Sequence, residues 1–302
     1  MLHSTIKGAD FGEEETAFYA EAFMRNIGLL KEEEQEKLHN AHIAIAGLGG
    51  VGGIHALSFA RLGVGRFSIS DKDTFETANI NRQAGATQDT FGQDKAEVLE
   101  KMIHAINPFA EVRRFSHGIS EETVDAFLAD ASLVIDGLDF FEIGVRRLLF
   151  RKAQEKNLSA ITAGPVGFGG AMLVFDPQGM SFDAYFDLHD GMSEEEMVLL
   201  FGIGLAPALL QRKYFKPDTI DLKKRSAPSL VTGTLFASGL VTCEAVKILL
   251  GEKVYPAPHF SQFDPYVRRY KKGYLWGGNR HPLQRFKKWY ILRKLKQQQK
   301  IS

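Results

Sequence analysis

A glycine-rich loop between a short strand and a helix is the feature that most limits what this chain can fold into. The apolar run His42–Ile45 predicts a buried strand, and Ile54–Leu62 predicts a helix. The segment GLGGVGG joins them and contributes Gly47, Gly49, Gly50 and Gly52. Glycines permit a tight turn and let backbone N–H groups approach a phosphate at a helix N-terminus. The loop therefore favours a nucleotide site, although close packing alone would also explain it.

Strands and helices alternate through the first part of the chain. After the loop, the sequence predicts strands at Arg66–Ser70, Val112–Phe115, Leu133–Asp136 and Ser159–Thr162, and helices at Asp94–Ile106, after Ser120 and at Ile143–Glu155. A helical region at Glu13–Glu36, broken near Gly28, precedes the first strand. Such alternation predicts an α/β fold with a doubly wound, mostly parallel, Rossmann-like sheet.

The alternation of strands and helices ends near residue 171. The predicted elements are a strand at Ala171–Phe175, a crossover stretch at Asp176–Pro228 with a possible helical hairpin, a helix at Leu230–Leu249, and strands at His259–Phe263 and Tyr266–Tyr270. We expect a C-terminal antiparallel and helical extension of the sheet. The predicted units are residues 1–175 (an N-terminal helix and the nucleotide-binding unit), 176–264 (crossover, helix and last strands of the same domain) and 265–302 (a tail).

The charge of the chain is unevenly distributed. The 37 basic and 37 acidic residues cancel, but no Asp or Glu follows Asp264, whereas 12 Lys and Arg residues do. Residues 1–264 therefore hold 25 basic and 37 acidic residues, a net charge of −12. The sequence predicts an acidic body with a basic end.

Cysteine content excludes several kinds of protein. Cys243 is the only cysteine, so neither an intrachain disulfide nor a Cys-based zinc site can form. Its place within the predicted helix Leu230–Leu249 favours a small, buried side chain. The first twenty residues carry acids and lack an apolar core, so we expect no signal peptide and a cytoplasmic protein. We interpret the longest uncharged run, Ser226–Cys243, as the start of a buried helix rather than a membrane span.

Polar residues after the glycine loop indicate which nucleotide it binds. Asp71 ends the second strand, 19 residues beyond Gly52, where a carboxylate can accept hydrogen bonds from ribose hydroxyls. The candidate nucleotide-binding residues that follow are Asp73, Asn79, Arg82 and Lys95. Arg and Lys give charge-assisted hydrogen bonds to a triphosphate, which a nicotinamide enzyme has no general need for.

Asp139 lies just past the strand Leu133–Asp136, at the edge where open α/β sheets bind ligands. A carboxylate there could hold Mg²⁺. Taken singly, each residue has an ordinary alternative: Arg82 as a helix cap, Lys95 as a solvated helix residue and Asp139 as an N-cap.

The ordered set of motifs resembles the ThiF/MoeB-like, ubiquitin-activating-enzyme superfamily over residues 20–175, and more weakly through the Pro228–Gly251 helix. The matching elements are Arg25-Asn26, the GLGGVGG loop, Asp71-Lys72-Asp73, the run Asn79-Ile80-Asn81-Arg82-Gln83, Lys95, Asn107-Pro108 and Asp139. The resemblance implies a Mg-ATP-dependent adenylation of a carboxylate, most often the C-terminus of a ubiquitin-fold or sulfur-carrier protein, or of a peptide, with release of pyrophosphate.

The resemblance also implies roles for particular residues. Asp71 would hold the ribose, whereas Asn79, Arg82 and Lys95 would bind the phosphates and stabilise the transition state. Asp139 would position Mg²⁺ or the reacting phosphate. Arg25 would reach across a homodimer as an arginine finger.

Three departures from the family pattern bear on the chemistry that the chain can perform. The chain lacks the two CxxC pairs that hold zinc in many relatives, so we expect no zinc. The segment Asp176–Pro228 contains no cysteine, so it cannot form the thioester that many relatives form there. Phe140 follows Asp139 where relatives usually carry Asn or Ser, which puts the geometry of magnesium binding in question.

Other functions remain open at the level of the sequence. The same superfamily includes an ATP-dependent tRNA threonylcarbamoyl-adenosine dehydratase, and the basic tail could favour such an RNA substrate. A non-catalytic subunit that binds a carrier or nucleotide is a further alternative, and a nicotinamide oxidoreductase is a distant one. The tail itself could dock on the acidic body or contact tRNA, an acidic carrier or anionic lipid. Of these partners, we do not expect a membrane.

Overall fold

One eight-stranded sheet organises the protein. The computed structural model describes residues 12–215, 219–221 and 224–298. The strands are β1 His42–Ala46, β2 Arg66–Ser70, β3 Glu111–Phe115, β4 Leu133–Asp136, β5 Ala160–Val166, β6 Gly169–Phe175, β7 His259–Asp264 and β8 Arg269–Tyr274. They lie in the order β3-β2-β1-β4-β5-β6-β7-β8. The ends of the predicted units, residues 1–11 and 299–302, lie outside the described residues, and the division into units stays a prediction.

The strands β3, β2, β1, β4 and β5 are parallel, and β1 runs between β2 and β4. All five residues of β1 are buried, as expected for a parallel strand with helices on both faces. Because the chain winds away from β1 in opposite directions on its two sides, the carboxyl ends of β1 and β4 flank the crevice where such sheets bind ligands.

Ten α-helices accompany the sheet in the described residues. They are α1 Glu13–Ala22, α2 Glu32–Asn40, α3 Gly52–Arg61, α4 Lys95–Ile106, α5 Val124–Phe127, α6 Ile143–Glu155, α7 Phe182–Phe186, α8 Glu194–Leu205, α9 Val231–Leu250 and α10 Pro282–Gln298. Two apolar cores result, one including α3, α4 and α9 and the other α5 to α8. The predicted hairpin in the crossover corresponds to α7 and α8.

The last strands confirm the predicted antiparallel extension. β5 and β6 form a hairpin, and β7 and β8 continue the sheet in antiparallel pairing. The predicted strand Tyr266–Tyr270 was wrong in its position. The buried carboxylate of Asp264 accepts hydrogen bonds from the N–H groups of Tyr266 and Val267, at 3.0 and 3.3 Å, and turns the chain before β8 begins. The α/β fold with its mostly parallel, doubly wound sheet is confirmed.

Helix α9 is only half buried, which corrects one prediction. Its inner face, including Ala237, Val241 and Ala245, belongs to the core, and the helix packs against β5 and β6. By length and composition alone it could cross a membrane, but such core helices pass the same test. Cys243 is exposed, contrary to the buried side chain expected. Position 243 lies seven residues, or about two turns, beyond the exposed Phe236, so it shares the outer face of the helix.

A buried histidine connects α3 to α9. The His55 side chain is fully buried, and its Nδ1 lies 2.9 Å from Ser238 Oγ. Burial lowers the pKa of His55 from 6.5 to about 3, because the imidazolium cannot be solvated there. The folded protein therefore holds His55 neutral over a pH range in which the unfolded chain protonates it.

We expect this burial to make the protein less stable in mild acid. Between pH 6.5 and 3 the unfolded state binds one more proton at His55, so stability from this group is complete above pH 6.5 and falls as the pH falls. By pH 5 the loss is about 2 kcal/mol. Urea unfolding at pH 7.5 and pH 5.0 measures it in the wild type and in His55→Gln, which cannot protonate. Between pH 7.5 and pH 5.0 the free energy of unfolding should fall by about 2 kcal/mol less in His55→Gln than in the wild type. Equal losses in the two proteins would contradict the prediction.

Candidate active site

Backbone contacts among glycines bring the ends of β1 and β4 to the start of α3. Gly47 follows β1 with φ +84°, and a Cβ there would lie 2.5 Å from the carbonyl oxygen of Gly137, after β4. A Cβ on Gly52 would lie 1.8 Å from the carbonyl oxygen of Gly47. Neither position tolerates a side chain, so packing is one reason for these glycines. The same packing places the loop and the N-terminus of α3 at the carboxyl edge of the sheet, where backbone N–H groups can meet a phosphate.

Asp71 ties the glycine loop to the end of β2. Its Oδ2 accepts the N–H of Leu48 at 2.7 Å, and its Oδ1 accepts the N–H of Asp73 at 2.9 Å. Burial raises the pKa of Asp71, against the lowering effects of Lys95 and of the two backbone N–H groups. Each carboxylate oxygen keeps a further lone pair. Asp71 can therefore position the loop and still accept a ribose hydroxyl, and that second role stays a prediction.

Lys95 is a buried cation beside this loop. It begins α4 and is 5% exposed, which excludes a solvated helix residue. Its Nζ lies 3.2 Å from Oδ2 of Asp73, whose side chain is 59% exposed. The structure thus brings together three predicted residues, Asp71, Asp73 and Lys95. A buried ammonium with one exposed carboxylate partner can exchange that partner for a phosphate oxygen at modest cost.

The turn that follows Asp73 brings further polar side chains to the loop. Asn79 is buried, and its Oδ1 accepts the N–H of Glu76 at 3.0 Å. The aliphatic carbons of Arg82 lie 3.7 and 3.8 Å from where a Cβ on Gly50 would be. The Arg82 guanidinium is exposed and donates to the carbonyl of Ala78 at 2.9 Å, so it closes its own turn. Because those contacts are at the surface, it can turn towards a ligand above the loop.

Gln83 is a site residue that the sequence analysis did not single out. It is 7% exposed, and its Nε2 lies 3.6 Å from where a Cβ on Gly49 would be. Its Oε1 is buried and has no hydrogen-bond partner within the described part of the chain. Burying an amide oxygen without a hydrogen bond lowers the stability of the folded state. The only signal was its place in the run from Asn79 to Gln83.

Asp139 lies on a short loop between β4 and α6. It is exposed, and its Oδ1 accepts the N–H of Phe141 at 3.0 Å. The N-cap of α6 is Glu142, so Asp139 does not cap that helix. Its position at the carboxyl edge of β4 is the one predicted, and its role with Mg²⁺ stays a prediction.

Arg146 is a buried residue that supports the loop carrying Asp139. The sequence analysis did not identify this residue. Its side chain is almost fully buried, and its Nε lies 2.6 Å from Oδ2 of Asp136 at the end of β4. Its Nη2 donates to the carbonyls of Leu138 and Asp139 at 2.8 and 3.1 Å. The same Asp136 oxygen accepts the hydroxyl of Thr162 at 2.7 Å. This network fixes the backbone that carries Asp139.

The crossover contacts the same loop through Phe201 and Arg225. The ring of Phe140, the residue that departs from the family pattern, packs on Phe201 of α8 with centroids 5.6 Å apart. Arg225 donates to Glu142 at 3.2 Å, and Lys72 lies 3.4 Å from the same carboxylate. The loop after β4 therefore lies between the end of β2 and the crossover.

Arg25 is not brought to this site within one chain. It is exposed, in a turn anchored where Phe23 packs against Gly63 and where Asn26 donates to Gln35 at 2.9 Å. Gly63 follows the C-terminus of α3, whereas the glycine loop precedes its N-terminus. A helix of ten residues, about 15 Å long, separates the two.

No group of three or more His, Cys, Asp or Glu residues that could hold a metal ion occurs within residues 12–215, 219–221 and 224–298. His189 and Asp190 lie in an exposed loop of the crossover, where Asp190 pairs with Arg147 at 3.1 Å.

Comparison with known proteins places the chain in a family. The model of the ThiF family matches residues 23–275. The chain is 40% identical over 119 residues to the tRNA threonylcarbamoyladenosine dehydratase of Bacillus subtilis, covering 39% of this chain and 46% of that protein. It is 27% identical over 262 residues to the sulfur carrier protein adenylyltransferase of Thermus thermophilus, covering 86% and 87%. It spans about half the length of several curated relatives that it matches.

A solved structure gives the same picture of the fold. The crystal structure of E. coli MccB with ATP superposes with a TM-score of 0.63 at 18% sequence identity, covering 87% of this chain and 73% of that one. Identity at this level supports the shared fold alone.

The glycine contacts predict a sharp difference between two Gly→Ala variants. Gly52→Ala should push the loop away from β1 and β4, because its Cβ would overlap the carbonyl of Gly47. We expect a loss of stability of about 2 kcal/mol or more and at least tenfold weaker ATP binding. Thermal unfolding and calorimetry measure both.

Gly144→Ala in α6 is the matched control, because a Cβ there would contact no heavy atom within 4 Å. It should leave ATP binding unchanged and stability equal or slightly higher. Unchanged ATP binding by Gly52→Ala would contradict the assignment of the loop.

Proposed function

This chain belongs to the ThiF family, and from that membership we propose that it is an ATP-dependent adenylyltransferase that transfers AMP to a carboxylate. The observation that carries the proposal is the buried Lys95, which lies beside the glycine loop with the exposed Asp73 as its carboxylate partner. A buried cation at a helix start, next to a loop in which Gly47 and Gly52 leave no room for a side chain, suits the phosphates of a nucleotide. A nicotinamide cofactor has no comparable use for it.

The proposed reaction activates a poor electrophile. An oxygen of the substrate carboxylate attacks the α-phosphorus of ATP, the bond from that phosphorus to the bridging oxygen breaks, and pyrophosphate leaves with the electron pair. The chain contributes positioning and charge stabilisation rather than a covalent nucleophile. Backbone N–H groups of the glycine loop, Asn79, Arg82 and Lys95 would hold the phosphates, and Asp71 the ribose.

We propose the C-terminus of a ubiquitin-fold sulfur carrier or of a peptide as the carboxylate. The Thermus thermophilus relative, which the chain covers at 87% of its length, is named for adenylating a sulfur carrier protein. No thioester step is proposed, because no cysteine lies in the crossover and Cys243 lies on the outer face of α9.

The residues present fit a magnesium ion bound together with ATP. Mg²⁺ is usually held by one or two carboxylates and by the substrate phosphates, so a single exposed carboxylate is enough. One oxygen of Asp139 accepts the N–H of Phe141, which leaves the other oxygen for the ion. Bound there, the ion would neutralise charge on the leaving pyrophosphate. Arg146 would keep Asp139 in place by its bonds to the backbone of the loop.

We propose a homodimer in which Arg25 of one protomer completes the site of the other. Within one chain Arg25 lies beyond the opposite end of α3 from the glycine loop. The turn that carries it exposes Met24, Ile27 and Leu29 to 60%, 43% and 91%, and such an apolar surface suits contact with another protomer. An arginine supplied in this way would stabilise charge on the transferring phosphate.

We expect Lys95 to be essential for adenylation and Lys101, on the same helix, to be dispensable. ATP–pyrophosphate exchange is measured against a panel of ubiquitin-fold carriers, short peptides and tRNA. Lys95→Gln should lower exchange with the productive substrate by about 10²-fold or more. Lys101→Gln, which removes only a surface pair with Glu97 at 2.7 Å, should stay near the wild-type rate.

Equal activity of the two variants would count against the proposed site. Absence of exchange with every carrier, with ATP binding retained, would favour the non-catalytic subunit instead. A second candidate function is tRNA threonylcarbamoyl-adenosine dehydration, favoured by the 40% identity to the Bacillus subtilis relative and by the basic tail. ATP consumption that requires modified tRNA and is not supported by any carrier or peptide would favour this dehydratase function.

If Arg25 of each protomer completes the site of the other, two inactive variants should complement each other. Arg25→Ala and Arg82→Ala protomers should each be inactive alone. Mixed 1:1 and allowed to exchange subunits, they should recover roughly a quarter of wild-type activity, because half of the dimers are mixed and each mixed dimer has one intact site. Recovery absent after proven subunit exchange would show that Arg25 acts otherwise.

A further inference from the structure

Helix α10 turns polar side chains towards the protein. Gln284 is 1% exposed and donates to the carbonyl of Ile203 in α8 at 3.0 Å. Lys287 donates to a carbonyl just beyond the end of α8 at 2.7 Å, and burial lowers the pKa of this lysine. Lys288 pairs with Glu196 in the first turn of α8 at 2.6 Å. The docked side of the helix is therefore held by hydrogen bonds and one ion pair.

The opposite side of α10 exposes its large apolar side chains. The exposed fractions are 64% for Leu283, 60% for Phe286, 53% for Trp289 and 46% for Tyr290. At 100° per residue these four positions fall within about 120° of the helix circumference. A helix that only stabilised the fold would show the reverse arrangement, because burying large apolar side chains is favourable. Four exposed together on one face indicate a binding surface.

The charge of this outer face has one sign. The sequence of α10 contains no Asp or Glu, and the exposed Arg285 and Arg293 border the apolar side chains. A helix with Trp, Phe and Leu on one side and Arg and Lys around them suits the interface of an anionic bilayer. Each Lys or Arg near such a surface strengthens the attraction to anionic lipid.

Ring packing favours lipid over nucleic acid. Phe286 and Trp289 contact each other with centroids 5.8 Å apart, and the Arg293 guanidinium lies 5.4 Å from the Trp289 ring centre. The rings therefore form one apolar ridge and are not open platforms for successive bases, which would need free ring faces. Leu283 at the start of the ridge cannot stack on a base, whereas it can enter an acyl layer.

We propose that the outer face of α10 binds the surface of an anionic lipid bilayer, with Leu283, Phe286, Trp289 and Tyr290 inserted at the headgroup level. The helix lies parallel to the bilayer and holds the catalytic body by its polar side. The body, residues 1–264, carries a net charge of −12 and is repelled by anionic lipid. That repulsion orients the protein with α10 towards the membrane. It reverses the expectation of no membrane partner, because the sequence alone did not show that the aromatic side of α10 faces outward. The proposal does not depend on the adenylation reaction.

Vesicle flotation of the full chain tests the proposal. Phosphatidylcholine vesicles with 30% phosphatidylserine should carry the protein, vesicles of phosphatidylcholine alone should not, and 0.5 M salt should weaken binding several-fold. The variant Phe286→Ser/Trp289→Ser should bind at least tenfold more weakly. Both side chains are more than half exposed, so circular dichroism and thermal unfolding should be unchanged.

Tyr255→Ser is the matched control. Tyr255 is also exposed, at 56%, and also lies beside a cation, Lys253, but it is outside α10. This variant should float like the wild type. In a Trp276→Phe background, Trp289 fluorescence should shift to the blue with anionic vesicles only.

Three outcomes would overturn the proposal. One is flotation that the double substitution leaves unchanged. Another is a wild-type protein that does not bind phosphatidylserine vesicles at low salt. The last is tRNA binding that the double substitution abolishes while vesicle binding is absent, which would assign the face to RNA.

Discussion

The contact between three glycine backbones is the constraint on which the site depends. Gly47, Gly52 and Gly137 lie so close that a Cβ on any of them would come within 2.7 Å of another's backbone. That contact joins the carboxyl ends of β1 and β4 to the start of α3. Once the loop is fixed there, Asp71 can reach the N–H of Leu48 and Lys95 can lie buried beside it. The polar groups of the site are thus positioned by packing before any ligand binds, which is the condition for electrostatic stabilisation without reorganisation.

The parts of this structure that could be predicted are those set by local pattern. β2, β4 and α6 were predicted with the bounds observed, since an apolar run or a helical spacing defines each of them. The α/β fold and the gathering of Asp71, Asp73 and Lys95 followed from the same pattern, because parallel strands end at one edge. Arg146 could not be identified in this way. It adjoins Arg147 in the sequence, and only tertiary packing buries the first against Asp136 while the second pairs with Asp183 at the surface.

The wrong predictions share a physical cause. An apolar helix suggests burial all round, yet α9 covers the sheet with one side only, so Cys243 lies outside. The strand after β7 was placed too early because the Asp264 carboxylate holds the following N–H groups in a turn. In each case a long-range contact decided what the local sequence left open.

The zero net charge of the chain hides a tail whose cations remain available. Among the described tail side chains, through Arg293, only Lys288 forms an ion pair with a carboxylate. Its partner Glu196 lies in the first turn of α8, where the helix dipole already stabilises an acid. The body therefore attracts the tail without neutralising it, and exposed ion pairs add little in any case. Gln284, Lys287 and Lys288 are used for docking, so the aromatic side chains of α10 face outward. Beside them lie Arg285 and Arg293, which form no ion pair with a carboxylate within the described part of the tail. The acidic body thus holds the glycine loop with its buried Lys95, whereas the basic tail holds the exposed aromatic side of α10.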